Sequence, residues 1–189
     1  MTRKQEIIQT AKILFREKGY KSISMRDLAT AMNIKAASLY NHISSKEEIL
    51  SEIILGVAQY FTAEMQKVKN TEENAQLQLE AVIAHHVEIN IQAPEAIAIL
   101  NNDWMHLEGN HFEDYIAMRT AYENDLRAII KTGISHHEIK FQNIDLVLFS
   151  LLSTLRTLHL WYRKRSDVDT NTLKIELTEI LLKGILLRD

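Results

Sequence analysis

The chain has 189 residues, of which 46% are hydrophobic and 25% charged, a balance typical of a folded globular protein rather than a disordered one. It has no cysteine, which excludes disulfides and cysteine-ligated metals, and its five glycines and one proline disfavour turn-rich sheets and glycine-rich phosphate loops. No apolar run approaches the roughly 18–20 residues of a membrane span, and the N-terminus lacks the apolar stretch of a secretory signal, so we expect a soluble, cytoplasmic, all-α protein.

The first two predicted helices lie in a basic stretch. Apolar residues at helical spacing predict a helix over residues 3–18, and Gly19 is a suitable C-terminal cap. A second helix is predicted to begin after Ser24, because Asp27 stands three residues later, in the spacing of a capping box.

A tight turn and a third helix follow. Asn33 tolerates the left-handed backbone of such a turn, and the third helix is predicted to cover about residues 35–42. Ser45 and Glu48 form a second capping box, which opens a long helix running past Met65.

The rest of the chain continues the helical pattern and is more hydrophobic. Gly109 and Gly133 are predicted to end two of its helices. The predicted starts are Thr71, Pro94, residue 111, either Asn143 or Asp145, and Thr170, from which the last helix runs to Leu187. The sequence therefore predicts about nine helices in two parts, a three-helix domain over 1–46 and a larger helical bundle over 47–189.

Charge divides the chain in the same place. Residues 1–50 carry nine basic and five acidic residues, a net charge of +4, whereas residues 51–189 carry 13 basic and 20 acidic residues, a net charge of −7. A basic domain on an acidic body suits a polyanionic partner such as nucleic acid.

The three short helices have the pattern of a helix-turn-helix. In that motif the second helix braces the third, so we expect Leu28, Ala29, Ile34 and Leu39 to be buried between them. The third helix must present small or polar side chains if its backbone is to enter a major groove about 12 Å wide. The residues that meet this demand are Lys35, Ala36, Ala37, Ser38 and Asn41.

The same stretch resembles the DNA-binding domain of TetR-family transcriptional regulators. The resemblance covers about residues 5–55, and many residues match those of the family at the same spacing. The matching pieces are the Ala-x-x-x-Phe of the first helix, the Lys-Gly-Tyr turn, Leu28-Ala29, Leu39-Tyr40-x-His42 and Ser45-Lys46-Glu47.

The resemblance implies roles for individual residues. Arg26 matches a position that often contacts DNA, residues 36–38 match the groove-facing positions, and Tyr40, His42 and Lys46 match phosphate contacts. Two alanines stand where polar base readers are common, so DNA shape is expected to carry part of the specificity. The predicted DNA contacts are Arg26, Lys35, Ala36, Ala37, Ser38, Tyr40, Asn41, His42 and Lys46.

For the body, the resemblance implies a homodimer formed through the last two helices, which binds a palindromic operator in double-stranded DNA. It also implies a small hydrophobic effector held by the middle helices. No Gly-x-Ser-x-Gly motif or phosphate loop is present, so neither a catalytic site nor a cofactor is predicted. Aromatic and methionine residues at helical spacing are also common in plain core. The predicted effector contacts are Trp104, Met105, Phe112, Tyr115, Met118, Tyr122, Phe149, Leu152 and Trp161.

Histidines support an alternative, a helical-bundle metal-binding protein or di-metal enzyme. Asp103 and His106 are three residues apart, as are Glu108 and His111, and a di-metal bundle uses Glu-x-x-His pairs on two helices. Gly109 interrupts one of these pairs, so the regulator is the preferred reading and no metal site is predicted.

Overall fold

A computed structural model describes residues 1–71, 74–165, 168–183 and 185. Across these residues the chain forms nine α-helices and two 3-10 helices and no β-strand, which confirms the predicted all-α class. The α-helices are α1 (Arg3–Lys18), α2 (Met25–Ala31), α3 (Ala36–Tyr40), α4 (Lys46–Lys69), α5 (Ala75–Gln92), α6 (Pro94–Asp103), α7 (Gly109–Ser135), α8 (Ile144–Tyr162) and α9 (Thr170–Lys183), with 3-10 helices at Tyr20–Ser22 and Trp104–His106.

Contacts between residues divide the chain into two compact units. Unit 1 consists of residues 1–59 and 95–117, and unit 2 of residues 60–94 and 118–189. The predicted N-terminal domain, 1–46, falls wholly within unit 1. The remainder, predicted as one domain, is shared between the units, and its functional division stays a prediction.

The predicted turns and caps of the first helices are present. Gly19 ends α1 at φ +81°, a left-handed conformation that suits a residue without a side chain. Ser24 and Asp27 cap α2 reciprocally, each side chain bonding the other residue's backbone N–H. Asn33 turns the chain at φ +54° before α3. Local sequence therefore determines where these helices begin and end.

The core of unit 1 fixes α3 in place. Leu28 and Ala29 on α2 and Leu39 on α3 are buried as predicted, and Ile34 between them is half-buried. Ile43 joins them in the interior. Burial of each large apolar side chain contributes about 1.5–3 kcal/mol, enough to brace a five-residue helix that would not form alone.

Two predicted caps differ in detail from the structure. Ser45 accepts from the Glu48 N–H at 2.9 Å, but the Glu48 carboxylate reaches past Ser45 and accepts from the backbone and hydroxyl of Ser44. Thr71 does not open α5: its hydroxyl donates to a carbonyl at the end of α4, and Asn74 caps α5 instead, accepting from the Leu77 N–H.

The glycines of α7 also differ from expectation. Gly109 begins α7 at φ +51°. Gly133 does not end it: the helix runs to Ser135, and Gly133 lies where neighbouring side chains pack closely against the helix. A Cβ there would lie 2.8 Å from both the Ala75 Cβ and the Ile139 Cδ1. The start of α8 is capped by Asn143, one of the two predicted residues.

Helix α8 corrects the expectation about membrane-length segments. A stretch of 18 residues within this 19-residue helix has a mean hydropathy of 1.3, and 39% of it is buried inside the protein. By length and composition alone, the helix could cross a membrane. Leu151, Leu152 and Leu155 lie in the core of unit 2, where α8 and α9 pack on α5. A core helix passes the same test. The predicted end of α9 at Leu187 lies outside the described residues.

Candidate DNA interface and effector cleft

The surface of α3 and its flanking turns is small and polar. Leu39 is fully buried, while Ala37 and Ser38 on the same short helix are exposed and Ala36 is half-buried. Tyr40 is 55% exposed although it is a large aromatic residue. The other exposed predicted contacts are Arg26, Lys35, Asn41 and His42.

Local backbone hydrogen bonds form the helical turns beneath this surface. The Ser38 N–H donates to the Lys35 carbonyl at 2.9 Å, and the His42 and Ile43 N–H groups both donate to the Leu39 carbonyl. The outward side chains therefore project from a regular helical turn and its C-terminal cap. A helix-turn-helix presents a short helix of this kind to a major groove.

Lys46 occupies a different place from the one expected of a phosphate contact. Its ammonium group donates to the carbonyls of Tyr20 and Ile23, at 3.0 and 2.9 Å, and lies 4.2 Å from the centre of the Tyr20 ring. Burial lowers the pKa of Lys46, although the Asp103 carboxylate acts in the opposite direction. The side chain therefore braces the turn after α1, and its contact with DNA stays a prediction.

Polar contacts tie residues 95–117 to the N-terminal helices within unit 1. The Glu47 carboxylate lies 3.0 Å from His111 Nδ1, and Arg16 pairs with Glu95 at 2.5 Å. The His106 ring stacks on Tyr20, with ring centres 5.6 Å apart. Burial, followed by the nearby carboxylates, raises the pKa of Tyr20 to about 12, so its hydroxyl stays neutral.

The histidines of unit 2 also have protein partners. His85 Nε2 lies 3.4 Å from the Glu64 carboxylate, and His86 Nε2 lies 2.9 Å from the Tyr122 hydroxyl. Burial lowers the pKa of His86 to about 3, so its imidazole is neutral. In the part of the chain that the structure describes, no group of three or more His, Asp or Glu side chains is placed to hold a metal ion.

The predicted effector residues are distributed over both units. In unit 1, Trp104 stacks on Phe112 and lies beside Tyr115, while Met105 is exposed. In unit 2, Tyr122 is engaged with His86. The remaining members are half-buried Met118, buried Leu152, and exposed Phe149 and Trp161. Effector contact for all nine stays a prediction.

A cleft between α7 and α8 in unit 2 contains two of the nine. It encloses about 480 Å³, a size that suits a small ligand. Its lining residues are Arg119, Glu123, Arg127, Asp145, Leu148, Phe149, Leu152, Ser153, Arg156 and Thr157.

Five of the ten lining residues are charged, and the sequence analysis did not select them. Glu123 Oε1 accepts from Arg119 Nε at 3.2 Å and from Arg156 Nη2 at 2.6 Å. Burial opposes ionisation of Glu123, but the hydrogen bonds from both arginines outweigh it and lower the pKa of its carboxyl. Two features of the sequence could have indicated this charged cluster. Arg119 and Glu123 stand at helical i,i+4 spacing, and a single arginine interrupts the apolar run of α8.

Comparison with known proteins identifies the family. Residues 7–53 match the family described as bacterial regulatory proteins, tetR family, and residues 72–185 match the tetracyclin repressor-like C-terminal domain. The chain belongs to the TetR family. It is therefore a transcriptional regulator with a helix-turn-helix DNA-binding domain, and the resemblance found in the sequence is confirmed.

Individual TetR-family proteins resemble the whole chain. The HTH-type transcriptional repressor KstR2 of Rhodococcus jostii is 25% identical over 185 residues, covering 97% of this chain and 91% of its own. The structure of the ketosteroid transcriptional regulator KstR2 of Mycobacterium tuberculosis superposes with a TM-score of 0.92 at 21% identity, covering 99% and 96%. AibR in complex with isovaleryl coenzyme A and operator DNA superposes with a TM-score of 0.82 at 21% identity, covering 96% and 98%.

Proposed function

We propose that this TetR-family protein is a cytoplasmic repressor. It binds a palindromic operator as a homodimer, and a small hydrophobic effector controls this binding. The observation that carries the proposal is the surface around α3, where a short helix and its C-terminal cap expose Ala37, Ser38 and Asn41 while Leu39 is buried.

The chemistry of that surface matches double-stranded DNA. Small side chains let the helix backbone approach the base edges, and Ala36 and Ala37 can contact thymine methyl groups. Arg26 on α2 and Lys35 at the start of α3 are both exposed and add positive charge. Phosphate contacts of this kind position a protein on the duplex, while contacts with base edges select the sequence.

Homodimer formation is supported by the outward side of the last two helices. Leu146 and Phe149 on α8, with Ile175 and Ile180 on α9, are each at least 60% exposed, and Leu160 and Trp161 are about half exposed. An apolar surface of this kind is typical of a protein interface. Two copies would place two helix-turn-helix units on successive half-sites, about one turn of DNA apart.

Relatives support the remaining parts of the proposal. KstR2 is named a repressor, and AibR is described in complex with an acyl-coenzyme A and operator DNA. An effector controls DNA binding only if it prefers one of two conformations by a few kcal/mol. We place the effector in the body, where the cleft between α7 and α8 has a suitable volume.

DNA binding tests the proposal directly. Fluorescence anisotropy with the DNA upstream of the protein's own gene should show binding by the wild type, and Ala37→Glu should weaken it at least 100-fold, because a carboxylate would face the groove and its phosphates. Ala128→Glu, at an exposed position of α7, introduces the same charge away from α3 and should bind normally. Equal binding by all three proteins would contradict the proposal.

A further inference from the structure

The turn between α3 and α4 is held by an acidic side chain from the first turn of α4. One oxygen of the Glu48 carboxylate, Oε2, accepts from the Ser44 N–H at 2.7 Å and from the Ser44 hydroxyl at 2.6 Å. The Ser45 hydroxyl accepts in return from the Glu48 N–H at 2.9 Å. The backbone and the side chain of Ser44 are therefore both bound to one carboxylate.

A lysine from α1 contacts the other oxygen of this carboxylate. Lys4 Nζ lies 3.1 Å from Glu48 Oε1 and 2.6 Å from Glu52 Oε1. Hydrogen bonds from the Ser44 hydroxyl and N–H, together with the nearby Lys4, lower the pKa of Glu48, although burial opposes them. The carboxylate is therefore ionised at neutral pH, and it connects the start of α1 to the turn that leaves α3.

The turn held in this way contains predicted DNA contacts. Residues 41–45 are all that separates α3 from α4, and Asn41 and His42 among them are exposed. Ile43 is buried, and Ser44 is bound by the carboxylate. The backbone that carries the two exposed side chains is therefore anchored on its C-terminal side by one apolar and one polar contact.

The negative charge of Glu48 makes its role testable by the sign of an effect. A carboxylate near a DNA-binding surface repels phosphates, so on electrostatic grounds alone its removal would strengthen DNA binding. A role in holding the turn gives the opposite expectation, because loss of the bonds to Ser44 would release the backbone beside Asn41 and His42.

We propose that Glu48 is a positioning residue for DNA recognition, which holds Ser44 and thereby positions the exposed turn after α3 without contacting DNA itself. Lys4 assists by orienting the carboxylate from α1. The inference rests on the proposed binding of DNA at the α3 surface, and it adds a residue outside that surface on which the binding depends.

DNA binding by matched variants tests this role. Fluorescence anisotropy of the full-length protein with the DNA upstream of its own gene should show binding weakened about tenfold in Glu48→Ala, because Ser44 loses a charged acceptor. Glu48→Gln keeps an oxygen that can accept from Ser44 and should recover most of the affinity. Glu52→Ala is the control: it removes another carboxylate of α4 that pairs with Lys4, and it should bind at least as tightly as the wild type.

Amide hydrogen exchange measures the hold on the turn in the free protein. The Ser44 N–H should exchange several-fold faster in Glu48→Ala than in the wild type or in Glu52→Ala, because it loses its acceptor. Circular dichroism should show the same helix content in all these proteins. If Glu48→Ala does not fold, Ser44→Ala takes its place: it removes the hydroxyl bond alone and should weaken DNA binding by a smaller factor.

Three results would overturn the inference. The first is DNA binding by Glu48→Ala that is unchanged or tighter, the second is an equal loss of binding in Glu48→Gln, and the third is unchanged exchange at Ser44. Failure of the wild type to bind DNA would instead overturn the proposed function, and the exchange measurement would still decide whether Glu48 holds the turn.

Discussion

Helices α3 and α8 both expose much of their surface, but the exposed residues are opposite in character. Around α3 they are small or polar, such as Ser38 and Asn41, whereas α8 exposes the large apolar Phe149, Leu160 and Trp161. Phosphates and base edges bind charged and hydrogen-bonding groups, whereas the core of a protein interface buries apolar groups. The comparison supports the proposal that DNA binds the first surface and that a second copy of the chain binds the other.

Polar side chains inside the two units also differ. In unit 1, half-exposed Lys46 and Glu47 hold backbone and side-chain groups of neighbouring segments. In unit 2, His86, Asn90 and His159 are buried, and Asn90 joins α5 to α8 by accepting from the His159 N–H at 2.8 Å. Charged side chains therefore make contacts near solvent in both units, and unit 2 in addition holds three polar side chains that pack in its core.

The largest effect is expected on the apolar face of α8. Leu160→Glu should weaken dimerisation at least 100-fold, because a two-fold interface receives two buried, unpaired carboxylates. Sedimentation velocity over a range of concentrations measures this. Ile13→Glu is a matched control, since Ile13 on α1 has the same 49% exposure as Leu160. If both variants dimerised equally well, the proposal that the apolar face of α8 forms the dimer interface would be contradicted.

A smaller effect, in pH dependence, should come from the core of unit 2. Because the pKa of His86 is about 3 in the folded chain, only the unfolded chain gains a proton there as pH falls below 6.5. The free energy of unfolding should therefore drop by about 2–3 kcal/mol between pH 6.5 and 4.5 from this group alone. Urea unfolding at several pH values should show a shallower dependence for His86→Gln than for the wild type. If the free energy of unfolding of His86→Gln depended on pH as steeply as that of the wild type, this prediction would be contradicted.

Substitution of Lys46 tests whether a charged side chain stabilises unit 1. Lys46→Ala should lower the free energy of unfolding by about 1–2 kcal/mol, because two backbone carbonyls lose a charged donor. Thermal unfolding followed by circular dichroism measures the loss. Lys35→Ala, which removes an exposed lysine, should leave stability unchanged. If instead Lys46→Ala affects only DNA affinity, phosphate binding is its principal role.

The smallest effect distinguishes charged from neutral contacts on the α3 surface. Lys35→Ala should reduce the slope of log affinity against log salt by about 0.9, the value for one phosphate contact. Tyr40→Phe should weaken binding by less than about tenfold and leave that slope unchanged, because a hydroxyl releases no counterion. Salt titrations of operator binding measure both quantities. Identical slopes for wild type and Lys35→Ala would place this lysine away from the phosphates.

Features of the fold that depend on neighbouring residues were predictable from the sequence. The Ser24–Asp27 cap, the left-handed turn at Asn33 and the end of α1 at Gly19 all follow from backbone chemistry within a few residues. The family motifs around α3 could likewise be identified from the sequence. Two predictions were wrong. Thr71 was expected to cap α5, but Asn74, a nearby polar residue, does so. Gly133 was expected to end α7, but it lies within the helix, packed closely against Ala75 and Ile139.

The sequence by itself thus determined an all-helical chain and a helix-turn-helix whose small, polar recognition surface faces outward, since helical periodicity and capping are local properties. Only the tertiary structure decided that Lys46 points inward to two carbonyls and that Arg119 and Arg156 converge on one oxygen of Glu123. Arg119 and Arg156 are 37 positions apart in the chain. Their juxtaposition depends on how α7 packs beside α8, which no local pattern specifies.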